Sequence, residues 1–363
     1  MSVIKELLHK AVEMDASDVH LKAGGDPYFR INGVLTPSGF DTLTAADLAV
    51  IVENILPAHL RERFAREHEA DFSHVEDGVG RFRVNVFVTQ GTTAVAMRYV
   101  KTHIPTFEEL HLPVGLKKLA AVQRGIILST GTTGCGKSTT MAAIIGEINN
   151  RFRRRIITIE DPVEYVFEDR LSIITQREVG LDTPSFESAL KHVLRQDPDC
   201  IFIGEIRDQT SIRTALLAAE TGHLVMTTLH ASTSDGAIPR ILDVFPAPEQ
   251  PHIRMAIATN LHAVICQRLI PAVSGGVVPA VEIMFNTPTV RKLIEKNQLE
   301  LLAAAIETGH DDGMQNFNQA IYELIANGMI KVEDGMAAST NPEALKMNLQ
   351  GIFLDEGRRI LST

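Results

Sequence analysis

The chain has 363 residues, of which 45% are hydrophobic; this suffices for a sizeable core and, at roughly 150 residues per domain, predicts two domains. Lysine and arginine number 35 and aspartate and glutamate 45, so the net charge is −10, which disfavours a nucleic-acid partner. The three cysteines form no CxxC pair, which excludes a disulfide scaffold and disfavours a cysteine-rich zinc site. No apolar run approaches the roughly 18 residues of a membrane span, and the first residues lack the order of a signal peptide, so we expect a cytoplasmic protein.

Four stretches of different pattern follow one another along the chain. Residues 1–100 combine helical spacing with short alternating runs, which predicts an N-terminal α+β domain, and residues 101–122, which contain two prolines, predict a linker. Over residues 123–285, strands that are apolar on both faces alternate with helix-length segments, as in a mostly parallel α/β sheet. Residues 286–363 return to helical spacing and predict a C-terminal helical region.

Two arginines lie on a strand that we expect near the end of the N-terminal domain. Residues 80–86 and 94–100 each alternate apolar and polar residues, and a glycine separates the two runs, so an antiparallel pair is predicted. Because side chains alternate along a strand, Arg81 and Arg83 share one face.

A phosphate-binding motif opens the α/β region. It reads Gly131-Thr132-Thr133-Gly134-Cys135-Gly136-Lys137-Ser138, follows an apolar strand and continues into a helix, which is the context that this motif requires. Backbone N–H groups bind phosphate oxygens there, Lys137 can bridge the β- and γ-phosphates, and the Ser138 hydroxyl can ligate Mg²⁺. A structural glycine turn would not need lysine and serine at these places. We interpret Cys135 as a small residue that the loop tolerates rather than as a catalytic thiol. The residues expected to bind nucleotide are Thr132, Thr133, Gly134, Cys135, Gly136, Lys137, Ser138 and Thr139.

Acidic residues follow two of the apolar strands. Glu205 ends a run of Walker B form and is expected to reach Mg²⁺ directly or through water. Glu160, Asp161 and Glu164 follow another apolar run. Carboxylates at a strand end are often only solvated, but in an open α/β sheet the carboxyl ends of the strands face the ligand crevice. We therefore predict that Glu164 orients the attacking water, and that Glu160 or Asp161 orders the waters of the metal.

Two histidines bracket the apolar run 224–229. Their odd spacing would put them on opposite faces of a regular strand, so they cannot share one metal ion. His230, at the end of the run, is predicted to contact the γ-phosphate, and His223 is predicted to order a neighbouring turn. For either one, a histidine satisfied within the core is the alternative.

Seven motifs in order resemble those of the secretion-ATPase superfamily and, within it, the PilT/PilU family of type IV pilus retraction ATPases. They lie at residues 131–138, 160–165, 176–180, 194–199, 204–208, 219–223 and 228–230. The likeness extends over nearly the whole chain. It implies a PAS-like N-terminal domain, a RecA-like P-loop ATPase core and C-terminal helices, assembled as a homohexameric ring.

The resemblance also implies roles for particular residues. Glu164 matches the catalytic glutamate of the family, and His223 and His230 match a pair of histidines at the nucleotide site. Three arginines match positions from which the N-terminal domain approaches the phosphates, where they would neutralise charge on the transferred group. These are Arg81, Arg83 and Arg98. An arginine on a solvated strand face is the alternative, for Arg98 especially.

The function implied is that of a cytoplasmic Mg²⁺-dependent ATPase, peripheral to the inner membrane, which hydrolyses ATP to power pilus retraction and twitching motility. Its implied partners are an inner-membrane platform protein and a paralogous retraction ATPase. Residues 289–294 keep Arg291 of a C-terminal element found in retraction enzymes but change three others, which leaves a PilT-type and a PilU-type role open. A nucleotide-binding accessory ring subunit is one alternative. A pilus extension or secretion ATPase is another, although the chain has no CxxC pair from which to build the four-cysteine zinc module of those enzymes. A DNA motor is disfavoured by the charge.

Overall fold

The computed structural model describes residues 3–31, 33–100 and 103–352. Contacts within the chain divide it into two compact units. The first comprises Met1–His103, Pro162–Val166 and Glu178–Asp182; the second comprises Ile104–Asp161, Phe167–Arg177 and Thr183–Thr363. Of the expected linker and C-terminal region, residues 101–102 and 353–363 lie outside the described residues, and the domain boundaries drawn from the sequence stay predictions.

An antiparallel sheet forms the first unit. Its strands are β1 (Asp18–Lys22), β2 (Tyr28–Ile31), β3 (Val34–Pro37), β4 (Glu69–Glu76), β5 (Gly80–Thr89) and β6 (Thr92–Val100). Their order across the sheet is β3-β2-β1-β6-β5-β4. β5 and β6 pair antiparallel, as the alternating runs predict. Phe82 and Val84 are fully buried, whereas Arg81 and Arg83 lie on the other face of β5.

Helices cover the apolar face of this sheet. They are α1 (Val3–Glu13), α2 (Ala45–Ile55) and α3 (Arg61–Glu67), with a 3-10 helix at Ala58–Leu60. Leu7 and Leu8 of α1 and Leu48 of α2 are completely buried in one cluster with Phe82 and Val84. This packing confirms the α+β character expected of the N-terminal part.

A mostly parallel sheet forms the second unit. Its strands are β7 (Gly125–Thr130), β8 (Arg155–Glu160), β9 (Ile173–Glu178), β10 (Cys200–Ile203), β11 (Leu224–Leu229), β12 (Leu261–Pro271) and β13 (Val277–Phe285). The order across the sheet is β13-β12-β7-β11-β10-β8-β9, and only the pairing of β12 with β13 is antiparallel among the registers of the described strands. Every residue of β7, β10 and β11 is buried, because both faces of the sheet are covered.

Helices lie on both faces of the parallel strands. They are α4 (Lys137–Arg151), α5 (Phe186–Val193), α6 (Gln209–Glu220), α7 (Ala237–Leu242) and α8 (Gln250–Asn260), and a 3-10 helix spans Val114–Ala121. Ile127 of β7 packs in one cluster with Ile144 of α4. Ile126 and Leu128 instead face residues of α6, α7 and α8. The α/β class predicted from the doubly apolar strands is therefore confirmed.

The C-terminal helices follow β13. They are α9 (Pro288–Glu295), α10 (Leu302–Thr308), α11 (Phe317–Ala326), α12 (Val332–Ala338) and α13 (Pro342–Leu349), with 3-10 helices at Leu299–Leu301 and His310–Asp312. β12 pairs with β7 as far as Cys266 and then continues to Pro271. Phe317 and Ile321 of α11 pack on Ile270 in this extension. Among the described helices, none has the length and hydropathy needed to cross a bilayer.

Candidate functional site

The phosphate loop joins β7 to α4. Gly136 is the residue before α4 and has φ 92°, and as a glycine it offers no side chain to cap the free N–H groups of the first turn. Those N–H groups and the positive end of the helix dipole are suited to an anion. Nζ of Lys137 donates to the carbonyl oxygens of Gly131 and Thr132, each at 3.0 Å, so the ammonium is held against the loop.

Close packing at the start of the phosphate loop leaves no room for a side chain at Gly131. Its φ is 138°, and a β-carbon there would lie 2.4 Å from Sγ of Cys135 and 2.8 Å from the carbonyl oxygen of Gln267 in β12. Gly134 also has a positive φ, 79°, but a β-carbon there would meet nothing within 4 Å. The two glycines therefore differ: Gly131 needs both the backbone conformation and the space, whereas Gly134 needs only the conformation.

Cys135 fills the space beside Gly131. Its side chain is buried, and burial raises the pKa of its thiol despite the opposing charge of Lys137. A thiol with a raised pKa is a poor nucleophile at neutral pH. The geometry therefore favours Cys135 as a packing residue of the loop.

Glu205 and His230 meet at the carboxyl edge of the sheet. Oε1 of Glu205 lies 3.2 Å from Nε2 of His230, and its Oε2 accepts a hydrogen bond of 2.5 Å from Arg207. That hydrogen bond raises the pKa of Arg207. The two residues come together because β10 and β11 are parallel neighbours, so the segments after both strands emerge at one edge, beside the phosphate loop that follows β7.

Glu160 and Asp161 are adjacent, but their side chains differ in exposure. Glu160 is the last residue of β8 and is buried, and its Oε1 accepts hydrogen bonds from Thr158 at 2.6 Å and from Gln176 at 3.3 Å. Asp161 is exposed. Both lie at the carboxyl end of β8, at the same sheet edge as Glu205, since β8 and β10 are parallel. Asp161 therefore has the more accessible carboxylate of the two.

His223 lies at the opposite edge of the sheet. It precedes β11, whose first residue is paired with Gly125, whereas the last residue of β11 is paired with Thr130 beside the phosphate loop. Six strand residues span roughly 20 Å. Nδ1 of His223 is 3.0 Å from the carbonyl oxygen of Ala218 and 3.1 Å from Oγ1 of Thr221. Within one chain the structure thus does not bring His223 to the phosphate loop, and its contacts are those of a residue that orders the turn between α6 and β11.

A cavity of about 450 Å³ opens at that same amino edge. Arg124, Glu220, His262 and Arg291 are among its lining residues, and burial lowers the pKa of His262. Gly125, the first residue of β7, also lines the cavity. The cavity therefore lies at the opposite end of β7 from the phosphate loop. It is therefore separate from the predicted nucleotide site.

The three candidate arginines belong to the first unit and have different surroundings. Arg83 and Arg98 are cross-strand partners on β5 and β6, and Arg98 is paired in turn with Asp18 of β1. Nε of Arg98 donates to Oδ1 of Asp18 at 2.8 Å, and the Arg98 side chain is 69% exposed. Arg83 is exposed and has no ion-pair partner among residues 3–31, 33–100 and 103–352.

Arg81 is paired with a residue that sequence reasoning missed as a site residue. Glu178 is 5% exposed, and its carboxylate accepts hydrogen bonds from Arg81 at 3.0 Å, from Ser73 Oγ at 2.8 Å and from the backbone N–H of Val163 at 3.2 Å. Glu164, the residue after Val163, is exposed. One carboxylate therefore fixes both the Arg81 guanidinium and the backbone before Glu164. The only sequence signal was the presence of Glu178 in a family motif.

Residues 1–277 match the family model described as type II/IV secretion system protein. The chain belongs to this family. It is 40% identical to the type IV pilus ATPase PilU of Pseudomonas aeruginosa over 347 residues, which cover 95% of this chain and 91% of that protein. It is also 40% identical to the type IV pilus retraction ATPase PilT of the same organism over 340 residues, 94% of this chain and 99% of that protein.

A solved structure agrees with this membership of the secretion family. The crystal structure of the pilus retraction motor PilT with bound ADP matches the chain with a TM-score of 0.89 and 43% identity, and it covers 94% of this chain and 98% of that one. The resemblance to the PilT/PilU group drawn from seven motifs is therefore confirmed over nearly the whole chain.

Proposed function

We propose that this chain is a Mg²⁺-dependent ATPase that powers type IV pilus retraction and, through it, twitching motility. The observation that carries the proposal is the juxtaposition of Glu205 and His230 at the sheet edge where the phosphate loop begins: His230 follows β11, the neighbour of β7, and Glu205 follows β10, the next strand along. The similarity to PilT and PilU over nearly their full lengths supports the pilus role.

The phosphate loop would bind the triphosphate of ATP. The N-terminus of α4 supplies N–H donors and a favourable dipole, and Lys137 supplies a positive charge. The ADP bound in the similar PilT structure supports this part of the proposal. Lys137 would exchange its present acceptors, the carbonyl oxygens of Gly131 and Thr132, for phosphate oxygens.

Ser138 and Glu205 would hold Mg²⁺, directly or through water. Oxygen donors are the ligands that this ion prefers, and it commonly takes only one or two from protein and the rest from phosphate and water. When bound, Mg²⁺ neutralises phosphate charge.

Glu164 would orient the attacking water, and Arg81, Arg83 and Arg98 would neutralise charge on the transferred phosphoryl group. Support comes from Glu178, which fixes the backbone next to Glu164, and from the exposure of Arg83. Glu160 and Asp161 would order the waters of the metal, with the exposed Asp161 better suited. His223 would act on nucleotide only indirectly, through the turn that it orders.

We propose that the active form is a homohexamer in the cytoplasm, docked on the inner membrane through a platform protein of the pilus machine and working with a paralogous retraction ATPase. The resemblance to the retraction family is the support. Light scattering of the purified chain with and without ATP tests the assembly, and a monomer under both conditions would contradict it.

The enzymatic part is tested by phosphate release from ATP. The wild-type protein should hydrolyse ATP, Lys137→Ala should lose nucleotide binding, and Glu164→Gln should bind ATP but release phosphate at least about a hundredfold more slowly. Lys191→Ala, which changes an exposed residue of α5, is the matched control. Turnover that is the same in all four proteins would refute the catalytic assignment.

The cellular part is tested in a strain that lacks the gene. Loss of a retraction motor should give immotile cells with more and longer pili, whereas cells without pili would indicate extension instead. The equal identities to PilT and PilU keep a second candidate, an accessory subunit that binds ATP and hydrolyses it weakly alone. Rapid phosphate release by the isolated chain would exclude that candidate.

A further inference from the structure

We infer that Arg268 and Glu282 are positioning residues for His230, and that Arg268 links the C-terminal helices to it. This inference rests on the proposed function, in which His230 orients Glu205 and contacts the γ-phosphate at the nucleotide site. It is carried by the segment 231–236, which runs from His230 to α7 and which three side chains of the β12–β13 pair hold in place.

The three anchors lie on one face of the β12–β13 pair. Sγ of Cys266 lies 3.7 Å from the carbonyl oxygen of Ala231, and Nη2 of Arg268 donates to the carbonyl oxygen of Ser232 at 3.4 Å. Glu282, the cross-strand partner of Cys266, accepts the backbone N–H of Ser234 at 2.6 Å. The segment that fixes the backbone of His230 is thus bound to β12 and β13 at three successive points.

Glu282 is more deeply buried than Arg268, the other charged side chain that holds segment 231–236. It is 6% exposed, and burial raises the pKa of its carboxyl group. An ionisable group placed so deeply is costly unless hydrogen bonds compensate, and the short bond from Ser234 is such compensation. Ser234 itself is completely buried, so its N–H has no access to water in place of Glu282.

Arg268 reaches in the other direction as well. Its guanidinium carbon lies 3.9 Å from the ring centroid of Phe317 in α11, and Nη1 donates at 2.6 Å to the carbonyl oxygen of Ala338, the last residue of α12. One planar group therefore contacts two C-terminal helices and the segment after His230. A lysine could not make these contacts together, because it lacks the fork of donors and the flat face.

A displacement of α11 or α12 would consequently move Arg268 and relax segment 231–236. His230 would then lose its alignment with Glu205. The phosphate loop packs against the backbone of β12 at Gln267 rather than against segment 231–236, so it would keep its structure. Misplacement of a catalytic group by about 1 Å can cost up to about a hundredfold in rate. The expected signature is a lower kcat at an unchanged affinity for ATP.

The test is a double-mutant cycle on phosphate release. Arg268→Gln should lower kcat about tenfold and leave the KM for ATP within about threefold, because alignment rather than binding is lost. In a His230→Ala background the same change should lower kcat by less than about twofold, since there is no imidazole left to position. Losses that multiply in the double variant would overturn the inference.

Glu282 gives a second arm if the Arg268 variants fold poorly. Glu282→Gln keeps an acceptor for Ser234 and should retain kcat, whereas Glu282→Ala should lower it in the wild-type but not in the His230→Ala background. Hydrogen exchange should quicken at residues 231–236 in Glu282→Ala and stay unchanged at 131–138. Lys292→Gln, an exposed change on α9, is the control. Equal kcat in Glu282→Ala and wild type would overturn the inference.

The outcomes separate this inference from the proposed function. If His230→Ala itself leaves kcat unchanged, the role of His230 in hydrolysis is wrong and the positioning inference falls with it. If His230→Ala lowers kcat but neither Arg268→Gln nor Glu282→Ala does, the proposed function stands and only the positioning inference is wrong.

Discussion

Nε2 of His230 lies 3.2 Å from Oε1 of Glu205, and each residue follows one of two adjacent parallel strands. The imidazole thus orients one carboxylate oxygen, while Arg207 binds the other at 2.5 Å. Because neighbouring side chains hold both of its oxygens, the Glu205 carboxylate keeps its orientation even when no metal ion is bound. A carboxylate fixed in this way can align a Mg²⁺ ion and its waters.

The first prediction concerns the charge of this carboxylate. Glu205→Gln keeps the size of the side chain but removes the negative charge, so it should lower kcat about a hundredfold or more while ATP still binds. Phosphate release and binding of a fluorescent nucleotide measure the two effects. Glu187→Gln, an exposed change on α5, should leave both unchanged. A Glu205→Gln variant with wild-type kcat would remove Glu205 from the site.

The second prediction compares two glycines of the phosphate loop. Gly131→Ala should abolish nucleotide binding and lower the free energy of unfolding by about 2 kcal/mol or more, because the new β-carbon would meet a thiol and a backbone carbonyl in a strained conformation. Gly134→Ala meets nothing within 4 Å, so it should cost only about 1 kcal/mol, from its positive φ.

Chemical denaturation and ADP titration measure this difference. The double variant Gly131→Ala, Cys135→Ala should stay defective, since the carbonyl of Gln267 remains 2.8 Å from the added carbon. Full rescue by Cys135→Ala would mean that the thiol contact alone makes Gly131 necessary.

The fold could be predicted where the signal is local. Strands apolar on both faces indicated the parallel sheet, and a contiguous motif indicated the loop between β7 and α4, because burial on two faces and phosphate binding each impose their own residue pattern. The edge on which His223 lies was also readable in principle, since the residue before a parallel strand must lie at the edge opposite to the residue after it.

The contacts of Glu178 and Arg268 could not be predicted in the same way. Arg81 and Glu178 are separated by 97 positions, and Arg268 and Ala338 by 70. The alternation of residues along a strand does not indicate which distant group a buried charged side chain will contact. Such pairs depend on how whole elements pack against one another. From the sequence alone, a charged strand residue that is solvated cannot be distinguished from one that is buried.

The third prediction concerns the thiols. Burial raises the pKa of Cys135, and it raises those of Cys200 and Cys266 to about 12. At pH 8 the folded protein should therefore react slowly with a disulfide reagent, and the denatured protein should release three equivalents quickly. Cys135→Ser should keep most of the ATPase activity. Fast labelling of one native thiol, or loss of turnover in Cys135→Ser, would contradict the packing role.

The fourth prediction tests the carboxylate beneath Arg81. Glu178→Ala removes the acceptor of three hydrogen bonds and leaves a partly buried guanidinium unpaired, so it should lower the free energy of unfolding by about 3 kcal/mol. Glu178→Gln keeps one oxygen acceptor for Arg81 and the backbone N–H of Val163 and removes only the charge, so it should cost less. Thermal and urea unfolding measure both, with Glu62→Ala on exposed α3 as the control. A cost equal to that of Glu62→Ala would show that the cluster contributes nothing to stability.

The fifth prediction is a pH dependence of stability from Glu282. Burial raises its folded-state pKa above the ordinary 4.5, so the folded protein holds this proton more tightly than the unfolded chain. The resulting stabilisation is complete below about pH 4.5 and is lost as the pH rises through the folded-state pKa.

Glu282→Gln cannot ionise and keeps an acceptor for the N–H of Ser234. The difference in Tm between this variant and the wild type should therefore increase in favour of the variant from about pH 4.5 upward and level off above the raised pKa, because only the wild type must bury a charge. Calorimetry of both proteins between pH 4 and 8 measures the difference, in which the titration of all other groups cancels. Parallel curves across this range would mean that Glu282 has the same pKa in both states and that its burial is fully compensated by Ser234.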